Sequence, residues 1–591
     1  MAEAVIFAML ASYLLSRTLI PTLAKYLLKP HQHHEEESDP NWFKRFNLGF
    51  EQKFDRFREH YYNGLNWALE HTRLFITSFL VFIVLSLVCL GPWLGSDFFP
   101  KVDGGQLKLH IRGPVGMRIE ETARLVDKID KEIRRVIPSD EVEGIIDNIG
   151  LPISGINISY NNSAPVGASD ADILISLKPD HKPTAEYEHQ LRTILQQKFT
   201  NVSFAFLPAD IVSQIINFGL PSAVSINVIG FNQQNNQQYA DKLLPLLNKV
   251  PGLVDVRIRQ ASYPELMVEV DRSKALELGL TQANVASNLL ISLSGSFQTA
   301  PTFWLNPENG VSYPIAVQAP QYNLQSLQDL NNTPMVSLTS SAPQQILGAI
   351  SNITRTSGPA EVSHYNVQPV TEIYATIQDT DLGSITKAVN QILTDTKSEL
   401  PKGTTAVVRG QIVTQNQAFQ GLYWGLLFSI VLVYLLIVIN FQSWTDPFII
   451  ITALPSALAG IAWMLFFTNT TLSVPALTGA IMCMGVATAN SILIISSARQ
   501  YLEEHNDPLI AALSAGKARL RPVLMTALAM IIGMLPMSLG LGDGGEQNAP
   551  LGRAVIGGLS FATVTTLFFV PTVFYVIHHR RQRAQQRKNN A

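Results

Sequence analysis

Seven long apolar runs decide what this chain can fold into. They cover residues of about 4–28, 74–94, 421–440, 447–468, 474–498, 522–541 and 553–577. A helix needs roughly 20 mostly apolar residues to cross the hydrocarbon core, and it must pair its backbone polar groups internally. The runs therefore predict a helical membrane domain of about seven transmembrane helices. The first run is too poorly flanked for a signal peptide: Glu3 precedes it, Lys25 and Lys29 follow it, and no small-residue cleavage site is evident. It reads as a retained span within residues 1–30.

Basic loops orient the spans, because cytoplasmic segments carry an excess of Lys and Arg. Residues 31–73 contain Lys44, Arg45, Lys53, Arg56, Arg58 and Arg73; the 499–521 connection contains Arg499, Lys517, Arg519 and Arg521; and the 578–591 tail contains RRQRAQQRK. Seven spans that start outside put all three segments on one side. The long stretch 95–420 then lies opposite, in the periplasm. Within 40–72, Phe43, Phe46, Phe50, Phe54, Phe57 and Tyr61 fall three or four apart and are flanked by cations. That is the pattern of a helix lying in the membrane interface.

The 95–420 stretch alternates strand and helix signals. GQLKLHIRG, RIEETARLVDKIDKEIRRVI, EVEGIID, ADILISLKP, AEYEHQLRTILQQKF and NVSFAFLP give β-α-β-β-α-β, a ferredoxin-like (split βαβ) plan, over 95–219. A second copy occupies 220–261 and 351–411, interrupted by an inserted domain at 262–350 with polar, Pro-rich loops. The fold expected is thus a seven-span membrane domain (74–94 and 412–577 holding spans two to seven) with a large periplasmic α+β insertion.

Chemistry motifs are missing. No GxxxxGK[ST], HExxH, GxSxG or CxxC occurs, and GDGGEQN at 542–548 follows an apolar run, not a strand. A net charge of −3 leaves no footprint for nucleic acid. Cys89 and Cys483, the two cysteines, both lie in apolar runs, which argues against a disulfide framework or thiolate metal site. The histidine pairs His33/His34 and His578/His579 lie in polar segments and read as solvated. Neither an enzyme nor an ATP-driven pump has support, and no cofactor is expected. The interiors of the last five runs hold no Asp, Glu, Lys or His. Arg17, in the first, lies roughly 12 Å along the helix from Lys25, too deep for easy snorkelling.

Several strings carry a family likeness. FQSWTDPFIIITALPSALAGIAWML, ALTGAIMCMGVATANSILIISSARQ, KARLRPVLMTALAMIIGMLPMSLGLGDGGEQNAPLGRAVIGGL and FFVPTVFYVIHHRR resemble the last four spans of resistance–nodulation–division (RND) efflux pumps. SDFFPKVDGGQLKLHIRGPVGMRIEET resembles the start of their porter domain, and VEVDRSKALELGLTQANVASNL a segment of their docking domain. The likeness runs nearly the whole chain, in the order of the second half of such a pump. It implies an inner-membrane permease powered by the proton gradient, exporting amphiphilic compounds as a homotrimer with a periplasmic adaptor and an outer-membrane channel. A separate chain could supply the N-terminal half.

The likeness also implies residue roles. Phe204 and Phe206 match a pocket-lining string, Arg257 an arginine near that pocket, and Gly150, Ile153 and Ile156 the loop between two pockets. Thr526 matches a relay threonine and Arg519 an arginine at the cytoplasmic mouth; Thr488, Asn490 and Ser491 are further polar candidates for proton coupling. One departure stands out: the multidrug pumps carry a lysine directly before the asparagine, and Ala489 stands there. Arg17 is then expected to replace that lysine as counter-ion to carboxylates elsewhere in the pump. Two alternatives remain: a relative that moves lipid or protein, and a non-transporting assembly module.

Overall fold

The computed structural model describes residues 2–27, 42–150, 165, 167–260, 262–297, 299–337, 344–359, 361–542 and 544–589. Seven helical stretches among them are long and apolar enough to cross a membrane. The first span is α1 (Ala2–Arg17) and α2 (Leu19–Leu27), with a break at Thr18. The interfacial stripe becomes one helix, α3 (Trp42–Glu70), followed directly by the second span, α4 (Thr72–Leu90). The C-terminal half of α3 is anchored in the bundle: Tyr61 and Leu65 are buried, and the Tyr61 hydroxyl donates to the Leu567 carbonyl at 2.8 Å. Its N-terminal half is more open, with Phe50 and Phe57 each 52% exposed.

The first α+β unit runs β1 (Gln106–Arg112), α5 (Ile119–Val136), β2 (Val142–Ile149), β3 (Asp170–Leu177), α6 (Thr184–Lys198), β4 (Ser203–Leu207) and a short α7 (Ile211–Ile216). Its antiparallel sheet has the order β2-β3-β1-β4. Strand alternation puts Leu107, Leu109 and Ile111 with Phe204 and Phe206 in one core against α5 and α6. The second sheet uses β5 (Val224–Gly230) and β6 (Leu253–Ile258), joined by α8 (Gln233–Leu247).

The chain then leaves along β7 (Ser262–Val270) into a unit with α9 (Arg272–Glu277), α10 (Gln282–Ser294), a hairpin of β8 (Thr302–Leu305) and β9 (Ser312–Ile315), α11 (Leu327–Asn331), a short pair β10 (Pro334–Met335) and β11 (Gln345–Ile346), and α12 (Leu347–Ile350). It returns on β12 (Ser351–Pro359), which pairs along the whole of β7. The sequence assigned 351–359 to the second periplasmic copy. The ribbon places it with the insertion instead, because β7 would otherwise be an unpaired edge. β13 (Ser363–Tyr365), β14 (Gln368–Ile377), α13 (Leu382–Asp395) and β15 (Thr404–Gly410) complete the second sheet, ordered β13-β14-β5-β15 with β6 on β14.

The remaining spans are α14 (Gln411–Phe441), α15 (Thr445–Ile451) with α16 (Leu454–Phe467), α17 (Val474–His505), α18 (Pro508–Ser538), and α19 (Ala549–Val564) continuing into α20 (Val570–Asn589). Several outrun their apolar cores: α14 starts ten residues before its apolar run and α18 fourteen before. Hydropathy marks only the lipid-crossing part, whereas the helix continues for as long as its backbone bonds are satisfied. The two parts of the molecule are joined by carboxylates: Asp381 accepts from Ser96 N at 2.8 Å and Asp97 accepts from Leu382 N at 2.8 Å.

In the first α+β unit, burial and then the neighbouring Asp147 push the Asp130 carboxyl up to about 6. A carboxyl raised on folding stabilises most below its unfolded value near 4, and that contribution is lost as pH rises from about 4 through 6. Asp130→Asn is therefore expected to flatten the pH profile and raise stability near pH 7, by under about 1 kcal/mol because the group is partly solvated. Thermal unfolding at pH 5 and 7.5 checks it; an unchanged pH profile refutes it.

Candidate functional site

Two polar seams interrupt the apolar packing. The first crosses the membrane bundle. Thr526 on α18 donates to Asn490 Oδ1 on α17 at 3.0 Å; at the next residue of α17, the hydroxyls of Ser491 and Thr566 meet at 3.0 Å. Thr565 donates to Ser456 Oγ on α16 at 2.6 Å. Thr565 and Thr566 open a π-helical turn, Thr565–Phe569, between α19 and α20. Such a turn holds one extra residue in the coil, and π-turns are frequent at functional sites. All these groups are hydroxyls or amides, which position and relay protons but do not hold one near neutral pH.

Toward the end of the bundle that holds the α14–α15 turn and α20 the seam becomes charged. Asp446, 4% exposed, sits in the first turn of α15; its Oδ1 lies 3.3 Å from His578 Nε2 and its Oδ2 3.7 Å from Arg499 Nη1. Arg499 also donates to the Phe441 carbonyl at 2.8 Å. Arg519 donates from Nε to Ser497 Oγ at 2.6 Å.

The second seam lies between the two larger sheets of the α+β part. On the face of β1 turned from its core, Lys108 and His110 hold Asp172, with His110 Nδ1 at 2.7 Å from Oδ1, and Arg112 holds the buried Asp170 at 3.1 Å. Arg112 also donates to the Ile258 and Arg259 carbonyls, each at 3.3 Å, and so reaches the second sheet. Arg192 on α6 forks onto Asp255 on β6, with both bonds at 2.9 Å, and Phe206 N donates to the same carboxylate at 3.0 Å. Asp255 adopts φ +54°, a left-handed conformation that Asp tolerates better than most residues.

A sequence profile of the AcrB/AcrD/AcrF family matches residues 1–578. The chain belongs to this family of RND permeases. Among curated relatives it is 27% identical to Protein HelA of Legionella pneumophila over 99% of the chain and 54% of that protein. It is 24% identical to the cobalt-zinc-cadmium resistance protein CzcA of Cupriavidus metallidurans, over 99% of the chain and 53% of the relative. It is 26% identical to the multidrug resistance protein MdtC of Yersinia enterocolitica, over 97% and 53%. The chain thus spans about half the length of the curated relatives it matches. A crystal structure of a heavy metal efflux pump shares the fold, with a TM-score of 0.74 at 22% identity over 88% of this chain and 51% of that one.

Against that family background, the residues singled out from sequence separate into groups. Asn490, Ser491 and Thr526 lie in the membrane seam. Thr488 bonds only back to the Met484 carbonyl, at 2.8 Å. Arg17 is exposed on α1, its guanidinium 5.9 Å from the Tyr13 ring centroid. Phe204 and Phe206 do not face an opening: both rings are packed in the first unit's core, 5% and 2% exposed, with Arg192 stacked 4.9 Å from the centre of Phe206. Alternation from Leu109 and Ile111 puts them on the helix side of the sheet. Arg257 lies in the second seam, 5.9 Å from the Tyr374 ring centre, and burial pulls its pKa down to about 10. Gly150 closes β2 at φ +73°, where an added Cβ would come 2.7 Å from Ile119 Cδ1. Ile153 and Ile156 lie outside the described residues.

Sequence reasoning missed Ser456, Thr565, Thr566, Asp446 and His578. Asp446 opens a span immediately before Pro447, where an acidic first-turn residue looks like ordinary helix capping. The adjacent threonines of TVTTLFF were the available sign of a polar break.

Proposed function

We propose that this chain forms the membrane and periplasmic part of an inner-membrane permease that exports amphiphilic compounds by proton antiport. It acts as a homotrimer with a periplasmic adaptor and an outer-membrane channel. The family match over residues 1–578 carries the proposal. The hydroxyl–amide seam supplies positioning and relay, and the proton-holding carboxylates come from outside the described spans, where Arg17 is their counter-ion. Phe204, Phe206 and Arg257 contribute to cargo handling only if the two periplasmic units part. Amphiphiles are preferred over metal ions as cargo because, among the described residues, no group of three or more His, Cys, Asp or Glu side chains converges. Metal export is the second reading, favoured by the name of the CzcA relative.

The test is export from cells lacking their own pumps, with the chain expressed alone and together with a polypeptide matching the remaining half of its relatives. The pair is expected to lower accumulation of a cationic amphiphilic dye in a proton-gradient-dependent way, and the chain alone is not. Arg17→Ala should cut paired export by more than roughly tenfold, since stranding a buried carboxylate is costly. Dye export by the chain alone, or tolerance to cobalt, zinc and cadmium without dye export, would overturn the proposal.

A further inference from the structure

The interfacial helix and the start of α18 enclose a groove that the transport reading does not use. It has a volume of about 500 Å³, within the roughly 300–1,000 Å³ of ordinary ligand sites. Aromatic rings form one wall: Phe50 and Phe54 stack with centroids 6.2 Å apart. The opposite wall is α18, where Lys517 and Arg521 are one turn apart on the same face. Lys517 Nζ lies 5.6 Å from the Tyr62 ring centre and Arg521 Cζ 5.8 Å from that of Phe54. Among the described residues neither cation has a carboxylate partner. Arg58 does: its Nη2 lies 2.8 Å from Asp55 Oδ1. Yet Arg58 Nε is buried with no acceptor, a donor left for an oxygen from elsewhere. Glu51 also lines the groove. With Asp55 neutralised by Arg58, the balance is two free cations against one carboxylate.

Position supplies the rest. Gly516 fixes the closing end, because an added Cβ there would meet Tyr61 Oη at 2.6 Å. Phe54 and Phe50 lie about two and three turns from Tyr61 along α3, and Pro522, which also lines the groove, marks the start of the apolar part of α18. The groove therefore opens at the level where headgroups of the cytoplasmic leaflet lie, with aromatic rings at the depth that interfacial aromatics prefer.

We propose that this groove binds the headgroup of an anionic phospholipid. Its phosphate sits between Lys517 and Arg521 and accepts from Arg58 Nε, and its glycerol and upper acyl carbons lie on Phe50 and Phe54. A bound lipid there would hold the open end of α3 against α18, next to the charged cytoplasmic end of the membrane seam.

Native mass spectrometry tests it, with the full chain released from nanodiscs of equimolar phosphatidylcholine and phosphatidylglycerol. The expected result is selective retention of phosphatidylglycerol, weakened about thirtyfold in K517Q/R521Q, since each basic group near an anionic surface adds about 1 kcal/mol. K517R/R521K should retain the lipid. The comparison variant K53Q/R56Q changes cations of α3, the facing helix, that do not line the groove, and should shift retention by less than about threefold. Equal loss in both glutamine pairs would mean diffuse surface attraction, and unchanged retention in K517Q/R521Q would mean binding elsewhere; either overturns the proposal. Full displacement by millimolar inorganic phosphate would also overturn it, by showing a site for the free anion.

Discussion

Asp255→Ala is expected to destabilise the α+β part by about 3–5 kcal/mol, the cost of leaving a buried charge without its partner. The Asp255 side chain is fully buried and that of Arg192 8% exposed. The carboxylate also accepts from Phe206 N at 3.0 Å, so its removal orphans a backbone donor as well. Because Arg192 belongs to the first sheet's unit and Asp255 to the second, the loss should appear as parting of the two. Hydrogen exchange should rise along β4 and β6 before it rises in α5. Arg192→Met with Asp255→Leu removes both charges and should recover much of the loss, since a buried pair replaced by apolar groups is often near neutral. Recovery will be incomplete, as Leu accepts nothing from Phe206 N and does not favour φ +54°. If Asp255→Ala unfolds at the wild-type temperature, the fork carries no stability.

The parts of this architecture that follow from one-dimensional rules could be read without coordinates. Seven apolar runs gave seven spans because lipid forces each crossing segment to satisfy its own backbone. The strand at 106–112 and the helix at 119–136 announced themselves by periods of 2 and 3.6. What could not be read is pairing across long separations. Ser351–Pro359 has no pattern that says its partner is β7, some ninety residues earlier. Asp446 and His578 are 132 residues apart, and each looks unremarkable where an apolar run meets a polar segment. Phe204 and Phe206 were singled out by likeness to pumps, and simple alternation with Ile111 and Leu109 places their rings in the first sheet's core. In the membrane seam, Asn490 and Thr526 were visible as polar residues in apolar runs. The π-turn that adds Thr565 and Thr566 was not, because one extra residue in a coil leaves hydropathy unchanged.

The last expectation concerns how the spans themselves are held. Apolar side chains gain little by leaving lipid for a protein interior, so membrane helices associate through close packing, often at small residues. α16 and α19 do so at Gly460 and Gly557: a Cβ added to Gly557 would lie 2.3 Å from Met464 Cβ and 2.5 Å from the Gly460 carbonyl oxygen. The carbonyl is backbone and cannot swing aside, so Gly557→Val must push the helices apart. We expect a cost of about 3 kcal/mol, at the upper end for an overpacked contact. Gly533→Ala on α18 is the internal comparison: nothing lies within 4 Å of its added Cβ. It should be neutral or gain up to about 1 kcal/mol from helix propensity. The consequence reaches the polar seam, because Ser456 is one turn from Gly460 and Thr565 about two turns from Gly557. Widening the contact should break the 2.6 Å Ser456–Thr565 bond and release the π-turn that carries Thr566. Denaturant unfolding in detergent reads the first effect, and hydrogen exchange across 561–570 the second. A Gly557→Val chain as stable as wild type, with the π-turn still protected, would show that the two helices are held together elsewhere.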